Sequence, residues 1–272
     1  MRVRPSAVAG QFYPGEPDTL RAAIAEYVAR ASTAFCTGGM ITPKAIIGPH
    51  AGYVYSGPIA GSGYATVAPA RGVVQRVVVV GPAHRVPLEG LAVPSVDAFA
   101  TPLGPIEIDQ AAREVAVGCA GVVVDDRAHA EEHSLEVHLP FFQHVLGTDV
   151  SVVPIVVGRT PPQRVAAVLA ALWGGPETLI VVSSDLSHYD PYAVARSHDR
   201  RTASAIVNGE IDVIGPRDAC GAVPIRGLLT AGRQHDLDVR LLDLRNSGDT
   251  AGPTDRVVGY GAFALTARST ER

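Results

Sequence analysis

The chain has 272 residues, of which 47% are hydrophobic and 18% charged, and its formal net charge at pH 7 is −4. This balance is typical of a globular protein with a substantial core and excludes a disordered chain. The acidic net charge gives no electrostatic case for nucleic-acid binding. The sequence has no run of about 18 apolar residues that could span a bilayer.

The three cysteines, Cys36, Cys119 and Cys220, are widely spaced and form no CxxC pair. Their odd number argues against a disulfide framework, and their spacing excludes a structural zinc finger. The first residues include two arginines but no apolar segment of the kind that secretory signals contain. We therefore expect a soluble cytoplasmic protein.

In chain order, the first predicted element is a helix over residues 17–31, with Asp18 as a possible N-cap and Leu20, Ile24 and Val28 on one stripe. Short runs rich in valine and isoleucine follow, and each ends in Gly, Pro, Ser or Asp. They cover residues 45–49, 76–82, 121–126, 150–158 and 178–185. Runs that are apolar on both faces are typical of strands covered by helices on both sides of a sheet.

Between and after these strands, helices are predicted over residues 161–175 and 192–210, bounded by prolines and glycines in the expected positions. Residues 235–246 and 255–267 alternate like strands of a mixed or antiparallel sheet. No repeat or flexible linker interrupts the pattern. The sequence therefore predicts one α/β domain over residues 1–272, with a central mixed β-sheet flanked by helices.

Polar residues follow three of the predicted strands. His50 lies in GPHAGY, His84 in GPAHRVP, and Asp185 and His188 in SSDLSHYD. Ligands of open α/β sheets bind beyond the carboxyl ends of the strands, so these loops can meet at one edge. The Gly-Pro before each of the first two histidines suggests a sharp turn that aims the next side chain. One loop histidine is usually only solvated, but the three loops together predict a shared polar site.

The segment HAEEHSLEVHLPFF, residues 129–142, adds several glutamates and histidines. If Ser134 caps a helix, Glu136 and His138 lie in its first turns and His133 lies just outside. Acidic residues that complement a helix dipole explain the glutamates better than the histidines. The spacing is not that of the H-E-x-x-H zinc protease motif.

Cys220 precedes a glycine and a predicted helix, and two interpretations stay open. A lone cysteine is most often a small buried apolar residue. A thiolate beside imidazoles would instead suit iron, copper or zinc, or could act as a nucleophile with a histidine base. The sequence lacks the G-x-S-x-G elbow and the glycine-rich phosphate-binding motifs, which argues against a hydrolase of the α/β type and a nucleotide-binding protein.

Six ordered motifs, together with the N-terminal RPSAVAGQFYP, resemble the Memo family, whose bacterial and archaeal members are called AmmeMemoRadiSam system protein B. They are PHAGYVYSG, GPAHRVPL, SVDAFATPLG, EEHSLEVHLPF, VVSSDLSHY and CGAVPI. The resemblance extends from about residue 4 to residue 266. It implies a single α/β domain similar to the LigB-type class III extradiol dioxygenases, which are non-haem iron enzymes.

The resemblance also implies the residues of a site. The expected metal ligands are His50, His84 and Cys220, and the expected catalytic or supporting groups in the same cleft are His133, Asp185 and His188. A thiolate in the place of the carboxylate that ring-cleaving relatives use is softer, and it favours copper(I) or a redox role.

These expectations describe a redox-active oxidoreductase that uses iron or copper, with zinc less favoured. His188 would transfer a proton, and Asp185 would orient the His188 ring. The alternative is a non-catalytic module whose cleft binds a peptide or small molecule, with AMMECR-type and radical-SAM proteins as companions. A zinc-dependent hydrolase is a third possibility, less favoured because no motif places a carboxylate base.

Overall fold

The computed structural model describes residues 1–35 and 42–268, with only the backbone for residues 32–35; Cys36 lies outside the described residues. The described chain forms one large mixed sheet and a separate three-stranded sheet. Its strands are β1 (Val3–Arg4), β2 (Ala45–Gly48), β3 (Arg76–Pro82), β4 (Leu91–Val93), β5 (Ala98–Thr101), β6 (Gly104–Glu107), β7 (Val122–Val124), β8 (Ser151–Val157), β9 (Thr178–Ser183), β10 (His188–Asp190), β11 (Leu237–Asn246) and β12 (Val257–Ala267).

Helices of the described chain lie on both sides of the large sheet. They are α1 (Pro17–Phe35), α2 (Tyr53–Val67), α3 (Gln110–Val117), α4 (Asp126–Ala130), α5 (Leu139–Leu146), α6 (Pro162–Ala171), α7 (Tyr192–Asn208) and α8 (Ala222–Gln234). A 3₁₀ turn over Glu136–His138 leads into α5. None of the described helices is long and apolar enough to cross a membrane.

Eight of the nine strands of the large sheet follow the order β10-β12-β2-β9-β3-β8-β4-β7, and the ninth, β11, pairs with β12 outside this order. Neighbouring strands from β2 to β8 are parallel, whereas β12 is antiparallel to β2 and β4 is antiparallel to β8. The prediction of an α/β fold with a mixed sheet and flanking helices is therefore confirmed. The two segments near the end of the chain that were predicted as strands of a mixed or antiparallel sheet form β11 and β12, which pair antiparallel to each other.

Alternate residues of the central strands point to opposite sides of the sheet, and each side has its own core. Val78 and Val80 belong to a core that α6, α7 and α8 complete. Val77 and Val79 belong to a second core that α1, α2 and α5 complete. This two-sided burial is the physical reason for the continuous valine runs in the sequence.

Of two predicted helix boundaries, one is wrong and the other is confirmed. The expected N-cap at Asp18 is wrong, because α1 already begins at Pro17 and Asp18 lies in its first turn. The end of α7 is confirmed, since Gly209 caps it with φ 67°, a left-handed conformation that glycine adopts without steric cost.

A buried carboxylate attaches the N-terminal segment to the body of the domain. Glu136 is fully buried, and its two oxygens accept hydrogen bonds from the Arg4 guanidinium, the Tyr13 hydroxyl and the N–H groups of Ala7 and Val8. Arg4 also donates to the carbonyl oxygen of Glu132. An ion pair satisfied in this way becomes strongly destabilising when one partner is removed.

We predict that Glu136→Gln lowers the free energy of unfolding by about 3–5 kcal/mol, because the substitution leaves the Arg4 charge buried without its partner. Urea denaturation followed by circular dichroism measures the change. The control is Glu89→Gln, which breaks the solvent-exposed ion pair with Arg159 and should leave the midpoint almost unchanged. Equal effects of the two substitutions would contradict the anchoring role of Glu136.

Candidate metal centre

The central strands β2, β9 and β3 are parallel neighbours that end at one edge of the sheet. His50, Asp185 and His84 each lie two residues beyond the end of one of these strands. The structure brings them together: the imidazole rings of His50 and His84 have centroids 5.1 Å apart. The backbone N–H of His50 donates a 2.8 Å hydrogen bond to an Asp185 carboxylate oxygen.

Cys220 reaches the same place from the turn before α8. One ligand atom from each of His50, His84 and Cys220 lies within 4.8 Å of the others, and the Cys220 Sγ is 3.3 Å from the His50 Nε2. Donors bound tetrahedrally to one metal ion at roughly 2.0–2.3 Å lie roughly 3.3–3.8 Å apart. The separation of the Cys220 Sγ and the His50 Nε2 lies within this range. Two imidazoles and a thiol are ligand types that suit a transition metal ion.

The Cys220 side chain is partly buried. Burial, together with the nearby Asp185 carboxylate, raises the pKa of the thiol to about 12, so it keeps its proton at neutral pH when no cation is near. The Asp185 N–H donates to the sulfur over 3.3 Å, which favours negative charge there. A bound metal ion would displace the proton and hold the thiolate.

His84 is oriented by a buried carboxylate that the sequence analysis did not assign to the site. The Glu132 carboxylate lies 3.2 Å from the His84 Nδ1 and accepts hydrogen bonds from the backbone N–H groups of His84, His133 and Ser134. Burial alone would raise its pKa, but these hydrogen bonds lower the pKa to about 2. A carboxylate that holds the far nitrogen of an imidazole fixes the ring for metal binding.

The expected helix N-cap at Ser134 is wrong. Its hydroxyl donates instead to the carbonyl oxygen of Pro82, and α5 begins only at Leu139, after the 3₁₀ turn. Glu132 and Glu136 therefore do not serve mainly to complement a helix dipole, since both carboxylates accept hydrogen bonds from other segments of the chain.

The two glycines of the Gly-Pro pairs belong to strands, not to the sharp turns that the sequence suggested. Gly48 ends β2, and Gly81 lies within β3. A Cβ atom at Gly81 would come within 2.8 Å of a Leu135 methyl carbon and 3.1 Å of the Ser183 Cβ. Glycine is needed at this position because the segment around Leu135 packs directly against the end of the sheet.

The three predicted catalytic or supporting residues line the same cleft. The His133 ring lies 5.0 Å from that of His84, centroid to centroid, and its buried Nδ1 makes no hydrogen bond within the described chain. Asp185 is buried, which raises its pKa. The ring of His188 is held through Nδ1, 2.8 Å from the Leu186 carbonyl oxygen. The expected orientation of His188 by Asp185 is thus replaced by this backbone contact.

The cleft has a volume of about 660 Å³, and both His50 and His84 line it. Its mouth is lined by aromatic and cationic side chains that the sequence analysis did not single out. They include Phe12, Tyr55, Arg85, Tyr189 and Arg256. Tyr189 is 62% exposed, adopts φ 64°, and has the Arg256 guanidinium 5.0 Å from its ring centroid.

Two further histidines, His129 and His138, are fully buried and neutral at pH 7. Burial lowers the pKa of His138 to about 3, and the neighbouring His50 adds to the effect. Burial also lowers the pKa of His129, to about 4. The hydrogen bond to the Ala92 carbonyl oxygen acts in the opposite direction but is the smaller effect. The sequence could not assign these two because a buried histidine and a solvated one look alike in it.

Comparison with known proteins supplies an independent finding. The chain matches the model of the Memo-like proteins over residues 4–264. It is 37% identical to a MEMO1 family protein of Methanosarcina barkeri, covering 97% of this chain and 100% of that protein. It is 34% identical to a MEMO1 family protein of Methanopyrus kandleri, covering 96% and 98% respectively.

Among solved structures, the chain resembles an uncharacterized protein, JW3007, from Escherichia coli K12. The TM-score is 0.52 at 14% sequence identity, and the likeness covers 81% of this chain and 98% of that one. At this level of identity the likeness concerns the fold alone.

We predict that stability falls between pH 7.5 and pH 5. His129 and His138 have pKa values below the ordinary 6.5 in the folded protein, so the unfolded chain binds more protons in this range. Each of the two histidines lowers the free energy of unfolding by roughly 2 kcal/mol between pH 7.5 and pH 5. Urea denaturation at the two pH values measures the loss.

The matched variant is His129→Gln, which can still donate to the Ala92 carbonyl oxygen but does not titrate. We expect it to lose roughly 2 kcal/mol less than the parent over the same range. His198, whose pKa is raised by its hydrogen bond to Asp218, acts in the opposite sense but is the same in both proteins. Identical losses in parent and variant would show that His129 is not the source.

Proposed function

This chain belongs to the Memo-like protein family, as its sequence motifs indicated, and from that premise we propose that it is a metal-dependent oxidoreductase that holds iron or copper. The observation that carries the proposal is the approach of two imidazole nitrogens and one thiol sulfur to within 4.8 Å of one another, beside a cleft that the two histidines line. Hard cations such as Mg²⁺ and Ca²⁺ prefer oxygen ligands, whereas this donor set suits iron, copper or zinc.

The proposed ligands are held before any metal ion arrives, which supports a dedicated site. His50 is 2% exposed, and burial together with the nearby His84 and His133 lowers its pKa, so the ring is neutral and able to bind a cation. Glu132 holds His84, and the backbone of Asp185 contacts Cys220. A preorganised donor set loses little conformational entropy on binding.

Iron or copper bound here would supply one-electron redox chemistry, with dioxygen as the oxidant. The protein would supply substrate binding and proton transfer. The Nδ1 of His188 bonds to a backbone carbonyl oxygen and therefore carries the proton, which leaves its Nε2 with a lone pair. We assign to this Nε2 the removal of a proton from a substrate hydroxyl in the cleft.

The lining of the cleft favours a small planar substrate. Phe12, Tyr55 and Tyr189 offer ring faces, and Arg85 and Arg256 offer positive charge at the mouth. Among the described lining residues the one carboxylate, Asp185, is buried and accepts a hydrogen bond from the backbone N–H of His50. This charge distribution attracts a ligand with electron-rich or anionic oxygens.

We predict that the purified protein, loaded anaerobically with iron(II) or copper(I), binds about one equivalent of metal, and that His50→Ala and Cys220→Ser bring the content close to background. The matched controls are His235→Ala, an exposed histidine, and Cys119→Ser, a cysteine in the turn after α3. Elemental analysis gives the content. A thiolate-to-metal absorption band that disappears in Cys220→Ser gives the coordination. Equal metal content in all five proteins would refute the ligand assignment.

Catalysis is tested by oxygen consumption of the iron(II)-loaded protein with a panel of catechols. We expect turnover that falls by about 10²–10⁴-fold in His188→Ala, the range typical of a lost general base. Metal content should stay at the parent level in this variant. Ligand binding that is equally tight with and without metal, and without turnover, would instead favour the binding module.

A further inference from the structure

Two buried histidines share one serine hydroxyl beneath the candidate metal centre. The Ser183 Oγ lies 2.7 Å from the His50 Nδ1 and 2.9 Å from the His138 Nε2. Ser183 ends β9 and is fully buried, as is His138. The same hydroxyl also donates a short hydrogen bond to the backbone carbonyl oxygen of Ser134.

The number of protons determines which atom donates in each contact. A carbonyl oxygen can only accept, so the single hydroxyl proton of Ser183 is directed to Ser134. The two remaining contacts use lone pairs of the Ser183 oxygen, and each must receive an N–H from an imidazole. His50 therefore carries its proton on Nδ1, and His138 carries its proton on Nε2.

The other side of His138 agrees with this assignment. Its Nδ1 lies 2.7 Å from the Tyr64 hydroxyl, and with its proton on Nε2 it can accept a hydrogen bond there. Tyr64 lies in α2 and is fully buried, and its ring stacks on Phe141 at 4.6 Å between centroids. The chain of hydrogen bonds thus begins in the second core and ends at His50.

The consequence at the metal centre concerns the second nitrogen of His50. With the proton on Nδ1, the Nε2 has a lone pair, and this is the atom 3.3 Å from the Cys220 Sγ. The opposite tautomer would place a proton between His50 and the other donors and block coordination through Nε2.

We propose that Ser183, His138 and Tyr64 are positioning residues that hold His50 in the Nδ1–H tautomer, so that its Nε2 is the metal-binding atom. The tautomer follows from hydrogen bonds within the protein alone. Its role in coordination rests on the proposed metal-binding function. Within the described residues the chain of hydrogen bonds ends at the buried Tyr64, so the network acts by orientation rather than as a proton path to solvent.

The direct test is ¹⁵N nuclear magnetic resonance of the metal-free full chain labelled at histidine. The protonated and unprotonated nitrogens of a neutral imidazole have widely separated chemical shifts, which identify each tautomer. We expect His50 as the Nδ1–H form and His138 as the Nε2–H form. Finding either ring in the opposite form overturns the proposal, and this measurement requires no variant that must fold.

The second test is Ser183→Ala, which removes the shared acceptor. We expect both tautomers of His50 to become populated and the affinity for iron(II) to fall by about 10–100-fold, as for other groups that orient metal-binding histidines. The control is Ser62→Ala, which removes a buried hydroxyl that bonds to Asp243, away from the site, and should change neither quantity. Tyr64→Phe keeps the ring and removes the hydroxyl, and we expect it to alter the His138 shifts.

The outcomes separate the two proposals. If the parent binds no metal but shows the expected tautomers, the metal-binding function fails and the tautomer assignment stands. If Ser183→Ala leaves the iron(II) affinity unchanged although the His50 tautomer shifts, the positioning role in coordination is refuted. If the tautomer itself is unchanged in Ser183→Ala, the network does not hold His50 and the inference fails.

Discussion

The parallel alignment of β2, β9 and β3 is the constraint on which the candidate site depends. Gly48 pairs with Ser183 in the register of β2 and β9, so the residues two positions further on, His50 and Asp185, also lie side by side. The next strand, β3, pairs with β9 up to Val80 and Val182 and delivers His84 to the same edge. A shift of register by one residue would reverse the faces of the strand and disperse these side chains.

Two buried carboxylates from one segment hold different parts of the structure in place. Glu132 and Glu136 are four residues apart and both buried, yet one holds the loop that carries His84 and the other holds the N-terminal segment. Arg4 connects the two, because it pairs with the side chain of Glu136 and donates to the backbone of Glu132. The attachment of the first residues and the geometry of the site therefore share one network.

The predictable parts were those that follow from local pattern. Valine runs buried on both faces located the central strands, and loops at the strand ends located His50, His84, Asp185 and His188. The place of Cys220 came from resemblance, since a cysteine 170 residues from His50 gives no local signal. The roles of Glu132, Ser183 and His138 depend on contacts between distant segments, which periodicity cannot report. The expected cap at Ser134 failed because a distant acceptor, the Pro82 carbonyl oxygen, competes for its hydroxyl.

Tyr189 shows that the mouth of the cleft is not arranged for maximum stability. Its left-handed backbone is a conformation that glycine would adopt freely but that costs a residue with a side chain about 1 kcal/mol or more. The largely solvent-exposed ring of this residue lines the cleft, and the Arg256 guanidinium lies over it. A glycine at this position would relieve the backbone strain but would remove the aromatic ring from the entrance of the cleft. The protein therefore keeps a strained residue at the place where its side chain shapes that entrance.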